Sequence, residues 1–262
     1  MNSRLMIKFG AMCRPIGALL ICLLVWEAAC RFGLVRPFLL PAPSAILDAI
    51  LQEPGLFLYH AGYTLEATLL GFAVAVVLGV AMAMAIVQFR FVEQTLYPLL
   101  VSFNSIPKVA IAPIFIVWMG TGLEPKIAIA TMIAIFAIVI DTVHGLRSVD
   151  PEMIDLGRSV RGSNLKIIWK IRFPHALPSL FAGMKVAISL ALIGAIVGEF
   201  VAAKRGLGYM ILLAQGQFDV VRMFAAMVIL SVSGLLLFYL VGQAENLMVP
   251  WRVARRRSSS DH

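Results

Sequence analysis

The chain has 262 residues, 61% of them hydrophobic and only 14% charged, with a mean hydropathy of +0.93 and a formal net charge of +8. That balance excludes an ordinary soluble domain and points to an integral membrane protein. Nor does the basic excess point to nucleic acid, because the lysines and arginines flank apolar segments instead of gathering on one polar face.

Long uninterrupted apolar runs predict helices, since backbone groups in lipid must bond internally and barrel strands would show alternation over about ten residues. The predicted fold class is all-α integral membrane, with six transmembrane helices at 15–29, 67–87, 96–119, 127–145, 177–201 and 223–247. The first follows Arg4, Lys8 and Arg14 like a secretory signal, but no convincing small-x-small cleavage site comes after it, so it reads as a retained helix. Cys13, Cys22 and Cys30 surround it without a CxxC pair or a companion histidine, and read as small hydrophobes. In the outer segment "PAPSAILDAILQEPG", Ser44 is the expected cap of a short surface helix.

In the second span Ala67, Gly71, Ala75, Gly79 and Ala83 place a small residue on one face at every fourth position, and Gly194 and Gly198 repeat this in the fifth. Both stripes predict close helix packing inside the subunit. Pro98, Pro107 and Pro113 interrupt the third span, and irregular backbone at membrane depth is tolerated only where it is buried in protein or lines a water-filled cavity. Lys108 stands at one break, 12 residues beyond Leu96 and so roughly 18 Å along a straight helix. It is a candidate for the translocation path, favouring an anionic solute, with structural pairing to a carboxylate or helix carbonyls as the other reading. Lys185 and Glu199 bracket the apolar centre of the fifth span and can reach opposite interfaces, Glu199 at the outer mouth. Glu27, Glu66 and Asp141 fall near predicted boundaries and read as interfacial.

Charge asymmetry sets the expected orientation. With the amino terminus inside, the cytoplasmic side collects Arg4, Lys8, Arg14, Arg90, Arg147, Arg158, Arg161, Lys166, Lys170, Arg172, Arg252 and Arg255–Arg257, whereas the outside receives only Arg31, Arg36, Lys126, Lys204, Arg205 and Arg222. Both termini are then cytoplasmic. The organisation is 1–55, a first helix and outer amphipathic segment; 56–247, the transmembrane domain; and 248–262, a basic tail that meets anionic lipid.

On this count the stretch "VDPEMIDLGRSVRGSNLKIIWKIRFPHALP", residues 149–178, contains the largest cytoplasmic loop, between the fourth and fifth spans. Asp150, Pro151 and Glu152 make a strong helix start, and Met153, Leu156 and Val160 repeat at helical spacing. Gly162 offers a stop, Ser163 or Asn164 a second cap, and Pro174 an end, which predicts two short amphipathic helices with a glycine corner. Such a knuckle either lies on the bilayer or docks on a cytoplasmic partner.

The stretch resembles the cytoplasmic coupling loop of type I ABC importer permeases, whose pattern is Glu-Ala-Ala, three residues, Gly, nine residues, Ile, one residue, Leu-Pro. Asp155, Leu156 and Gly157 stand at Glu-Ala-Ala, Arg161 at the Gly, and Ile171, Phe173 and Pro174 at Ile and Leu-Pro. The segments "LLPAPSAILDAI", "SIPKVAIAPIFIVWMGTG", "GLRSVDPEM", "LPSLFAGMKVAISLALIGAIVGEFVAAKRGLGYMI" and "AQGQFD" are similar, in order, to the nitrate, taurine and sulfonate branch. The resemblance implies a multi-pass permease of the bacterial inner membrane, paired as a homodimer. It implies an ATP-binding cassette subunit dimer that holds ATP and Mg, and an extracytoplasmic solute-binding protein. It gives the coupling role, within about residues 149–175, to Asp155, Leu156, Gly157, Arg158, Arg161, Gly162, Ile171 and Pro174. Pro107, Lys108 and Glu199 are the candidate path residues. The solute it implies is small: nitrate, a sulfonate, taurine, an aromatic acid or a vitamin precursor.

The chain has no GxxxxGK[ST] phosphate loop, so it is expected to bind no nucleotide by that means. His60, His144 and His175 are scattered, with no cluster at metal spacing, and no catalytic residue or metal ligand is assigned. A stand-alone secondary carrier or channel is the competing function, and it lacks both an ionisable relay and an internal repeat in this sequence.

Overall fold

A computed structural model describes residues 3–250, with side chains for 17–100 and 102–250. The basic tail with Arg252 and Arg255–Arg257, and the side chains of Arg4, Lys8, Cys13 and Arg14, lie outside the described residues. Every regular element among them is helical: α1 (Ser3–Arg31), α2 (Pro43–Gln52), α3 (Pro54–Gln88), α4 (Arg90–Asn104), α5 (Ala112–Met119), α6 (Glu124–Arg147), α7 (Pro151–Ser159), α8 (Asn164–Ile167), α9 (Phe173–Ala202), α10 (Leu207–Gly216) and α11 (Val220–Met248).

Among the described residues four helices are long and apolar enough to cross a membrane: α3, α6, the continuous rod Asn164–Ala202, and α11. The expected third span, 96–119, is not one straight helix. α4 and the Lys108–Met119 segment pass the same test only together, and they meet at a bend of 90°. Pro98 sits inside α4 without breaking it; the break falls at Ser105–Pro107, followed by a 3-10 turn at Lys108–Ile111. A depth for Lys108 counted along a straight helix therefore does not hold.

The described residues form two compact units, 3–59 with Met210–Ile229, and His60–Tyr209 with 230–250. In the first, the Glu27 carboxylate of α1 accepts hydrogen bonds from the Ser44 backbone N–H (3.0 Å) and hydroxyl (2.7 Å), and from Arg31 (2.6 Å). Ser44 is thus not the cap of α2, whose N-cap is Ala42 with Pro43 as first residue. The orphan N–H is satisfied by a carboxylate 17 residues earlier, which suits the positive end of the helix dipole. Asp219 caps α11 through the Arg222 N–H (3.0 Å), and Arg222 also pairs with Glu53 (3.0 Å).

The second unit is built around α6, which buries Ile129, Ala130, Ile133, Ala134, Ile138 and Val139. Both expected small-residue stripes pack on it. A Cβ on Gly71 would lie 2.5 Å from the Ala130 Cβ, and one on Gly194 would lie 2.6 Å from the Ala130 Cα. Ala130 is pinched between α3 and α9, and only glycine on either side allows that approach. Gly79 meets Ile138 in the same way, and the Thr131 hydroxyl donates to the Gly71 carbonyl at 3.0 Å. Near the other end of α6, Leu96, Tyr97 and Leu100 of α4 pack on Ile86, Val139 and Leu146.

Candidate functional site

The start of α7 forms as its sequence dictates. Asp150 Oδ1 accepts the Glu152 N–H at 3.1 Å, Pro151 occupies the first turn, and Glu152 faces the positive dipole end. The helix then divides its residues. Gly157 is buried and Ile154 half-buried, while Met153, Leu156 and Val160 are 51%, 67% and 74% exposed. A Cβ on Gly157 would stand 2.9 Å from Ile171 Cδ1 and 3.3 Å from Ile167 Cγ1, so α7 leans directly on the chain that follows it.

The corner differs from expectation by one residue. Gly162 N–H donates to the Gly157 carbonyl (3.0 Å) and Arg161 N–H to the Arg158 carbonyl (2.9 Å), the two bonds of a Schellman cap. The residue in the left-handed region is Arg161, with φ 54°, and not Gly162. The permease pattern has its Gly at this position. Gly162 is required for another reason: a Cβ there would approach the Gly157 carbonyl oxygen to 2.6 Å.

Ser163 caps the next helix by accepting the Lys166 N–H at 3.4 Å. The expected second short helix does not end at Pro174. α8 runs through a π-helical turn, Ile168–Arg172, into α9, and Pro174 lies in the first turn of α9. Proline cannot donate to the carbonyl four residues back, and a wider turn just ahead of it absorbs the missing bond without ending the rod. Ile167 and Ile168 face inward, while Leu165 and Trp169 are exposed. Asp155 pairs loosely with Arg158 at 3.4 Å, both well exposed, and Arg147 binds Glu93 at 2.7 Å.

At the 90° bend, Lys108 Nζ donates to Asn104 Oδ1 at 2.7 Å and stands 4.1 Å from the centre of the Phe136 ring on α6. Among the described residues no carboxylate pairs with it. Pro107, exposed, precedes the 3-10 turn that presents Lys108.

Glu199 is 1% exposed and serves as a clamp. Its carboxylate accepts from the Thr64 hydroxyl (2.9 Å) and the Gly208 N–H (2.7 Å); Thr64 Oγ1 accepts the Leu207 N–H (2.8 Å), and His60 Nδ1 accepts the Gly206 N–H (3.0 Å). Three successive backbone donors at the start of α10 are each held by a side chain of α3 or α9. Lys126, nearly fully buried, adds an attractive charge. Lys185 does not reach an interface alone: it forms an ion pair with Glu245 of α11. His60, Thr64, Phe136 and Glu245 lie too far along the chain from their partners to be read from the sequence, whereas Asn104, four residues before Lys108, is within reach. Their one signal is that an acid or lysine inside an apolar span needs a polar partner somewhere.

The family described as "Binding-protein-dependent transport system inner membrane component" matches over residues 75–248, and the chain belongs to it. The formylaminopyrimidine transport permease protein ThiX of Halalkalibacterium halodurans is 34% identical over 234 residues, covering 89% of this chain and 93% of that one. The riboflavin transport system permease protein RibX of Chloroflexus aurantiacus is 35% identical over 238 residues, covering 90% and 89%. The inward-facing MetNI methionine ABC transporter superposes with a TM-score of 0.63 at 20% identity, over 71% of this chain and 93% of that one, a likeness of fold. The protein is a permease component of an ABC importer, a class in which the ATPase is a separate subunit.

Proposed function

We propose that the chain forms half of a two-fold permease core with six spans per copy, α1 supplying the first and the bent α4–α5 segment the third. Both termini and the loop at 149–175 face the cytoplasm. The loop seats on a groove of one ATP-binding subunit in a dimer that carries ATP and Mg, and an extracytoplasmic binding protein delivers the solute. Closure of the ATPase pair moves the loop, and the rod Asn164–Ala202 carries that motion into the membrane without a joint.

The observation that carries this reading is the stripe Met153, Leu156 and Val160, exposed along α7 beside the face on which buried Gly157 packs against Ile167 and Ile171. A helix of nine residues gains nothing from presenting that stripe to water, and a partner groove explains it. Asp155 and Arg161, both exposed, flank the stripe with charge, as a polar rim flanks an apolar contact. Two relatives at 34% and 35% identity are named for formylaminopyrimidine and riboflavin, which supports a heteroaromatic vitamin precursor as the solute. Lys108 beside Phe136 at the broken segment supports a path residue in this reading, since a cation next to a ring suits a flat, polar or anionic molecule.

The test is co-purification. Leu156→Asp puts a charge in the centre of the stripe without touching the fold of the loop. The variant is expected to insert normally yet lose the ATP-binding subunit on affinity purification, and full retention of that subunit would remove the assignment.

A further inference from the structure

Behind the exposed face of α7 lies a cavity of about 200 Å³. Its polar wall is made by Gln88 at the end of α3, Arg158 of α7, Asn164 of α8 and Arg172 of the π turn, with Ile167 and Ile168 beneath. The donors are thus two guanidinium groups and two side-chain amides, and among the described residues no carboxylate lines it. Arg172 is half-buried and has no acidic partner among the described residues. The charges that act on it are Arg158 and Arg147, both of its own sign. Arg147 is already engaged by Glu93, and the Arg158–Asp155 pair, 3.4 Å apart and exposed, neutralises little. Like charges gathered at a half-buried guanidinium are costly unless an anion sits among them. Planar forks converging with amide donors fit a phosphate oxyanion.

The cavity lies beside the end of the apolar helix α3 and the start of the rod that leads into α9, which in the placement proposed above is the level of the lipid headgroups. Phe89 and Phe91, immediately beyond Gln88, are exposed, as aromatic residues are at a lipid interface. We propose that this cavity binds the phosphate of an anionic phospholipid from the adjoining leaflet, tying α7 and the π turn to the end of α3. The inference rests on the loop's cytoplasmic, membrane-adjacent placement proposed above. Its consequence is that anionic lipid holds the coupling loop against the transmembrane rod, so lipid composition tunes how motion passes between them.

The experiment uses the full-length permease with its ATP-binding subunit. The complex is placed in nanodiscs of phosphatidylcholine alone or mixed with phosphatidylglycerol, and retained lipid is counted by native mass spectrometry after transfer to detergent. Wild type is expected to keep phosphatidylglycerol selectively. Arg172→Gln removes one charged donor and should weaken that retention by roughly tenfold. Arg172→Lys, which keeps the charge, should recover part of it, and this separates loss of the site from loss of fold. Equal retention by wild type and Arg172→Gln overturns the proposal. So does saturable binding of inorganic phosphate by a wild type that keeps no phosphatidylglycerol, which would assign the cavity to the free ion. ATP hydrolysis is followed in the same nanodiscs: stimulation by the binding protein without lipid retention would overturn the headgroup site and leave the coupling reading standing.

Discussion

Arg161 shows how a single residue departs from the pattern the loop resembles and what that departure costs. The resemblance puts a Gly at this position, and the structure supplies the reason, because φ of 54° in the cap of α7 is a conformation a Cβ disfavours. Arg161→Gly is expected to raise the stability of the detergent-purified protein by about 1 kcal/mol, read as a higher midpoint in thermal unfolding. An unchanged or lower midpoint would mean that the arginine side chain compensates. At this scale, legibility follows sequence distance. Asp150 and Ser163 act within three residues, and both caps are readable from the letters alone. Ser44 is misread because its partner Glu27 lies 17 residues away, and the Thr64–Glu199 bond spans 135. No local pattern signals either one.

At the scale of elements, the long apolar helices were legible because composition and length suffice to mark them. The small-residue stripes were legible too, since one small side chain per turn marks the buried face, though Ala130 as the shared contact was not. Prolines marked where the chain is irregular but not how. Pro98 rides inside α4, Pro174 is absorbed by a π turn, and Pro107 marks a break of 90°. The outcome at each depends on whether neighbouring turns can supply a replacement hydrogen bond, which the letters do not encode. That bend gives Lys108 its setting, a cation held by one amide oxygen and one ring. Lys108→Gln keeps a bond to Asn104 and removes the charge. Uptake of an anionic solute in proteoliposomes should fall by roughly tenfold or more while assembly with the ATPase persists. Uptake and solute preference both unchanged would take Lys108 off the path.

At the scale of the whole molecule, a rod is joined to a knuckle. Asn164–Ala202 is one continuous helical element 39 residues long, and α7 is held against its amino-terminal end by Gly157 on Ile167 and Ile171. Force applied to the exposed stripe of α7 therefore enters the membrane through van der Waals contact and continuous backbone, with no flexible linker between. Charge asymmetry and the permease pattern mark this loop in the sequence. Neither shows that its second half is already the start of the rod, because Pro174 does not stop it. The most direct measurement is ATP hydrolysis by the reconstituted complex, with and without solute-loaded binding protein, for wild type and Gly157→Val. A valine there sets its Cβ 2.9 Å from Ile171 Cδ1 and 3.3 Å from Ile167 Cγ1 with two further methyls to place, so both isoleucines must give way and the contact between α7 and the rod is loosened. The variant is expected to insert, bind the ATPase and hydrolyse ATP at its basal rate but to lose stimulation by the solute-loaded binding protein; stimulation equal to wild type would contradict the coupling role of this contact.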